Sequence, residues 1–293
     1  MKKLLFVALL WSTLFACKDN GTGENKSSGS GEAVTLRLNF KQGEKFHYDM
    51  TTVQNITQTM MGKDMSVKQE MGFGFNYEVK SAEKEMYQVM VTYDRIRMKQ
   101  DNPMMQVNFD TDDPATMKDG KFTALADLKG KSFTLTLNHY GDVTGISGLE
   151  SLSNSLGQSG MSDTSMMNMM EMSFKIYPEK AMKVGDTWKK DMTNDLGGML
   201  KMKIANEYEL LSVKDGMAEI GVKSVITSEP GAAKQEMEMT LNGTQNGSMK
   251  VDVTTGMMLN SNFKQDITGK ASTQGMEIPM KIKSDISAIG KKL

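Results

Sequence analysis

The stretch Met65-Ser66-Val67-Lys68-Gln69-Glu70-Met71-Gly72-Phe73-Gly74-Phe75-Asn76-Tyr77-Glu78-Val79 sets an apolar side chain on every odd position except Gln69. Every even position holds a polar residue or glycine. A period of two is that of a β-strand with one dry face and one wet face. Fifteen residues extend about 50 Å if straight, and strands of that length coil or bend. Gly72 and Gly74 are the expected bending points. Upstream, Phe46, Tyr48 and Met50 share one face, and the same parity runs on through Ile56 to Met60. Gly62-Lys63-Asp64 between the two runs predicts a hairpin.

The same alternation recurs along the chain. It appears at Val34–Phe40, Phe133–Leu137, Leu200–Leu210, Ala218–Ile226, Met237–Leu241, Met249–Val253 and Met276–Ile286. In the last of these, Pro279 lies on the polar side, which predicts an edge strand or a bulge because proline donates no ladder hydrogen bond. Two segments repeat in order. Lys41-Gln42-Gly43-Glu44-Lys45-Phe46 and Asp49-Met50-Thr51 correspond to Lys183-Val184-Gly185-Asp186-Thr187-Trp188 and Asp191-Met192-Thr193. Tyr77-Glu78-Val79-Lys80-Ser81 corresponds to Tyr208-Glu209-Leu210-Leu211-Ser212. Duplication is the expectation.

Between the copies lies a helical connector. Met161 to Tyr177 carries Met166, Met167, Met169, Met170, Met172, Phe174 and Ile176, and Pro178 ends it. Its apolar residues occupy more than one face, so burial on more than one side is expected. The fold class is therefore all-β with a minor helical segment. Two related antiparallel units, 34–146 and 178–293, form a large curved sheet or open barrel, and helices at 147–177 cover its apolar face.

The N-terminus gives an address. Lys2 and Lys3 precede an apolar run from Leu4 to Ala16, after which Cys17 opens a polar stretch. A charged start, a short apolar run and a small residue before the cut form the layout of a signal peptide, here 1–16. Residues 17–33 then read as a lipid-bearing cysteine followed by a flexible, Gly- and Ser-rich tether. Leu14-Phe15-Ala16-Cys17 resembles a bacterial lipobox, which implies lipid attachment at Cys17 and a membrane held through that lipid. More than one acyl chain at that residue would make the anchoring stable.

Composition narrows the chemistry. A net charge of −1 gives no sign of a nucleic-acid partner. With one cysteine and two histidines, His47 and His139, neither a Cys/His metal site nor a Cys–His nucleophile pair can be assembled. No catalytic motif appears, and the expectation is a non-enzyme without cofactor or metal. Asp110-Thr111-Asp112-Asp113 hints at calcium, but Pro114 and Ala115 stand where the loop needs a ligand and glycine, so a capped turn is expected.

Thirty methionines are the outlier. They admit three uses: filling of irregular gaps, an adaptable surface for apolar guests, or soft-metal binding of the Cu(I) type. Methionine occupies inward strand positions throughout the chain, which favours the first two.

The lipobox and tether, the two Gly-acid-x-aromatic turns, Tyr77-Glu78-Val79-Lys80-Ser81 with its second copy, and Val184-Gly185-Asp186-Thr187-Trp188 resemble uncharacterised lipoproteins of Bacteroidota that carry a domain of unknown function. Long antiparallel strands with a helical plug are also similar, distantly, to the half-barrel lipoprotein carriers of the periplasm. These resemblances imply a protein anchored in the cell envelope, in the outer membrane of a Gram-negative bacterium, and transfer no catalytic residue. The ligand reading places Met71, Phe73, Phe75 and Tyr77 from one half, and Met202, Ile204 and Tyr208 from the other, around a cavity for a lipid or other apolar molecule. The alternative is a structural or interaction lipoprotein with a filled core. A hydrolase built from carboxylates across strands is the remaining possibility.

Overall fold

The computed structural model describes residues 32–60, 62–102, 105–118, 122–152, 163–195, 200–230, 237–273 and 276–293. Cys17 and nearly all of the residues expected to form the signal peptide and tether lie outside them. The strands are β1 (Lys45–Met60), β2 (Lys63–Glu83), β3 (Met86–Asn102), β4 (Met105–Asp110), β5 (Ser132–Asn138), β6 (Val143–Ser147), β7 (Thr187–Asp195), β8 (Leu200–Lys214), β9 (Met217–Pro230), β10 (Met237–Asp252), β11 (Met258–Thr273) and β12 (Met276–Lys292). All belong to one antiparallel sheet, and the sheet is not closed. Its order is β6-β5-β3-β2-β1-β12-β11-β10-β9-β8-β7, with β4 paired to β3 beside β5. The helices are α1 (Thr123–Ala126) and α2 (Asp163–Phe174), with short 3-10 turns at Thr116–Lys118 and Leu149–Leu152.

The two halves run as meanders in the same sense and join head to tail. The first strand of the body, β1, pairs with the last, β12, from Phe46↔Lys292 to Gln58↔Met280. The repeated sequence motifs build equivalent turns. Gly43 and Gly185 both have left-handed φ, +86° and +91°. Gly43 N–H donates to Val79 O and Gly185 N–H to Leu210 O, while Glu44 O and Asp186 O accept from Val79 and Leu210 in return. Carboxylates of Glu44 and Asp186 cap the backbone N–H of Lys41 and Lys183. Each following aromatic meets the tyrosine of its partner strand, Phe46↔Tyr77 and Trp188↔Tyr208.

Head-to-tail joining leaves two unpaired ends, β6 and β7. Helix α2 packs against both strands, so the sheet curls until its edges reach the same helix. Trp188 Nε1 donates to Ile176 O just past the helix, fixing that side. Among the described residues of the expected cover, α2 is thus the helix that bridges the two edges. Residues 153–162 of the expected connector fall outside the described residues.

Three local expectations are corrected. Val34–Phe40 alternates like a strand, yet it forms only an isolated bridge, Val34↔Met182. It is a strap across one end of the curled sheet. Leu38 N–H donates to His139 O and Asn39 N–H to Thr255 O, both in turns, while Leu36, Leu38 and Phe40 are buried beneath. Pro279 lies in an interior strand rather than an edge: β12 pairs with β11 through Lys270↔Pro279. The ladder to β1 ends one residue earlier, at Met280, so the proline sits where β12 has a partner on one side only. The first hairpin is tighter than Gly62-Lys63-Asp64, since Lys63 and Asp64 already pair with Met60 and Thr59.

The strap predicts a graded response to glycine substitution. A Cβ on Gly256, at φ +76°, would lie 2.1 Å from the carbonyl oxygen of Arg37, whereas one on Gly43 meets nothing within 4 Å. Gly43→Ala should cost about 1–2 kcal/mol, the left-handed penalty alone. Gly256→Ala should cost about 1–3 kcal/mol more by displacing the strap. Urea unfolding of the two variants compares them directly.

Candidate functional site

The inward faces of the strands converge on one interior. Its lower part, at the strap end, is an aromatic core. Phe40, Phe46, Tyr48, Phe75, Tyr77 and Tyr93 are buried there, with Tyr48 edge-on to Tyr77 at 5.2 Å between ring centroids. Its upper part is aliphatic and rich in methionine, with Met172, Met192, Met202, Met239 and Met280 among Ile56, Ile204, Ile267 and Ile282. The seven residues singled out from sequence divide between the two. Met71, Phe75, Tyr77 and Tyr208 are buried in the lower part and Phe73 packs partly buried against it, whereas Met202 and Ile204 belong to the upper part.

A belt of polar side chains separates the two parts, and sequence reading missed it. Asn206 pairs with Ser224, Ser224 with Gln245, Gln245 with Gln265, Gln265 with Ser284, Ser284 with Gln54, Gln54 with Gln69, and Gln69 with Gln100. Eight successive strands, from β8 around to β3, place one neutral amide or hydroxyl at the same height. All eight are 6% exposed or less. Burying such groups costs free energy unless they find partners. Ser224 Oγ donates to Asn206 Oδ1 at 2.6 Å, Gln265 Nε2 to Gln245 Oε1 at 2.6 Å, and Gln54 Nε2 to Ser284 Oγ at 3.3 Å. Gln69 Nε2 reaches only thioethers, that of Met71 at 3.0 Å and that of Met98 at 4.0 Å, and Gln69 Oε1 has no partner among the described residues.

Space around the belt is shaped by missing side chains. Gly243 and Gly247 stand two residues either side of Gln245 on the same face. A Cβ on Gly247 would lie 2.2 Å from the Phe263 ring, and one on Gly243 would lie 2.9 Å from Ile267 Cγ1. Beyond β8 the row continues on β7 with Lys190, opposite Asn206, whose Nζ lies 3.6 Å from Glu179.

Solvent reaches the interior beside the belt. Met50, Thr52 and Phe73 keep the inward parity of Phe46 and Phe75, yet they are only half-buried. Thr52 pairs with Met71 and Met50 with Phe73, immediately on the strap side of Gln54 and Gln69. At the far rim, Met60 is half-buried and Met276 is 46% exposed.

The wet face carries ion pairs. Gly72 and Gly74 leave room for Arg97 and Arg95 to lie across β2, since a Cβ on Gly72 would meet Arg97 Nε at 2.2 Å. Arg95 forms a two-point contact with Asp110 and lies 3.3 Å from Asp112, which Lys129 also pairs at 2.5 Å. Asp110 and Asp112 of the acidic turn are therefore neutralised by side-chain cations. Its backbone is capped as expected, with Asp112 N–H donating to Asp110 Oδ1. Among the described residues no group of three or more His, Cys, Asp or Glu is placed to hold a metal. Hydrogen bonds from Arg95 hold the Asp110 carboxyl below its ordinary range despite partial burial, and burial pushes the hydroxyls of Tyr48, Tyr77, Tyr177 and Tyr208 up.

Geometry and fold define a class: an open antiparallel sheet curled around an apolar interior that a neutral polar belt divides. The chain belongs to the family of unknown function DUF6263, whose model matches residues 84–258, more than half of the 293. Comparison with curated proteins gave no match. Among solved structures, one described as lipid–protein interactions in lipovitellin aligns with a TM-score of 0.49 at 8% identity, over 86% of this chain and 25% of that one. This chain thus spans a quarter of the lipovitellin length. An outer-membrane channel from Pseudomonas putida F1 aligns at 8% identity and a TM-score of 0.21, over 87% of this chain and 97% of that one. OccAB4 of Acinetobacter baumannii aligns at 6% and 0.23, over 86% and 99%.

The Asp110–Arg95 pair sets an acid dependence. A carboxyl whose folded pKa lies below its unfolded value stabilises the fold above the unfolded value, about 3.9, and that stabilisation is lost as pH falls through the folded value. Asp110→Asn should therefore lower the unfolding midpoint at pH 6 and lose most of that difference at pH 2.5. A difference equal at both pH values would contradict it.

Proposed function

We propose that the chain is a lipid-anchored protein of a Gram-negative cell envelope, held in the outer membrane through Cys17, that binds a lipid or other apolar molecule inside the curled sheet and catalyses no reaction. The observation that carries this reading is the half-buried Met50 and Phe73 on the inward face, apolar side chains that a fully filled interior would cover. Methionine supports it further, because unbranched thioethers re-pack around guests of different shape. Where carboxylates are displaced from their ordinary range, as at Glu78, Asp110, Asp142 and Glu229, they are displaced downward. That is the state of ion-paired surface acids, opposite to the raised pKa of a general acid. A tether that enters the body at Val34 would attach at the strap end, away from the methionine-rich part of the interior.

The second reading, a structural or interaction lipoprotein, rests on the tight burial of Met71, Phe75, Tyr77, Met202, Ile204 and Tyr208. Native mass spectrometry of the chain purified from its own host separates the two. A co-purifying apolar mass supports carriage. A bare protein mass, unchanged after incubation with a total lipid extract, supports the scaffold. Anchoring is read separately: Cys17→Ser should move the protein from the membrane fraction to the soluble one.

A further inference from the structure

Granted carriage of an apolar guest, the reading on which this inference rests, the polar belt decides which guest the interior accepts. A wholly apolar guest would leave Gln69 Oε1, at mid-height, without a donor. A charged headgroup would be desolvated there without a counter-charge, because from β8 to β3 the belt is neutral and the cation at its margin, Lys190, lies beside Glu179. Gln69 Oε1 is the decisive atom. Its residue is 1% exposed, the oxygen has no donor among the described residues, and Thr52 and Met71 place it next to the stretch that solvent reaches. A buried carbonyl in that state calls for an N–H or O–H. Above the belt lie aliphatic and thioether side chains from Ile56, Met239, Ile267 and Met280. A few convergent polar groups beside an apolar compartment are the makings of an amphiphile site.

We propose that the ligand is an uncharged single-chain amphiphile, an acyl ester or amide carrying hydroxyl or N–H donors, whose polar end hydrogen-bonds Gln69 and its belt neighbour Gln54. Its acyl chain lies along the methionines of the upper compartment. Belt and upper compartment act together: the first selects the headgroup, the second tolerates variation in the chain.

The test uses Cys17→Ser protein freed of residues 1–16, so that no attached acyl chain competes. Monooleoylglycerol, oleate and 1-octadecene are delivered from cyclodextrin, and binding is measured by calorimetry and native mass spectrometry. Monooleoylglycerol should bind one to one and about tenfold tighter than octadecene, the scale of one net hydrogen bond. Gln69→Leu should weaken monooleoylglycerol about five- to tenfold and leave octadecene unchanged or tighter. The same substitution should leave the ligand-free unfolding temperature unchanged or raised, which a merely structural glutamine would not do. Gln69→Met, nearer in shape, replaces it if the leucine variant does not fold. Equal affinity for monooleoylglycerol and octadecene, tighter binding of oleate, or an unaltered preference in the variant overturns this inference and leaves carriage standing. If none of the three binds, carriage fails and the inference falls with it.

Discussion

A polar side chain withdrawn from water must find a partner, and this constraint governs the middle of the sheet. Eight adjacent strands each commit one amide or hydroxyl to the interior at the same height. A slip of one residue in any strand would turn its apolar set outward and break the row at once. The belt thus specifies register where apolar packing alone tolerates exchange. It also explains why the interior has two parts of different character. Aromatic rings, with hydroxyls hydrogen-bonded to backbone carbonyls such as Tyr87 to Leu38, stiffen the strap end. Methionines, which specify shape weakly, fill the other.

The head-to-tail arrangement accounts for the helix. In two copies of a meander joined this way, the start of one pairs with the end of the other, as β1 does with β12. The remaining start and end, β7 and β6, are left as sheet edges, which invite pairing with other chains. Here both pack on α2, whose Met170, Met172 and Phe174 face the interior, and the methionine-rich connector becomes the cover of the gap it spans. Gly141, whose Cβ would fall 1.9 Å from Phe174 O, lets the β5–β6 turn approach the end of that helix.

The strand pattern was readable because inward residues from Met71 to Val79 alternate without interruption, and in Leu200–Leu210, Ala218–Ile226 and Ile278–Ala288 a single inward polar residue, Asn206, Ser224 and Ser284, breaks an otherwise apolar row. The duplicated turns were readable because a left-handed glycine, a capping acid and an aromatic recur in order. Strand β11 escaped because Ser261, Gln265 and Gly269 occupy inward positions, leaving Phe263, Ile267 and Ala271 four residues apart. The belt escaped for the same reason. Gln69 read as an interruption, and so would each of its counterparts. Only the cross-strand register, which a linear pattern does not contain, lines the interruptions up. The strap misled because burial on alternate residues arises equally from crossing the end of a sheet and from lying within it.

The belt can be seen directly in solution. In protein labelled with nitrogen-15 at glutamine, the side-chain amide protons of Gln54, Gln69, Gln245 and Gln265 should exchange slowly with water. They should also show nuclear Overhauser contacts between Gln54 and Gln69 and between Gln245 and Gln265. Fast exchange at all four, with contacts to water alone, would put these side chains outside and contradict the account.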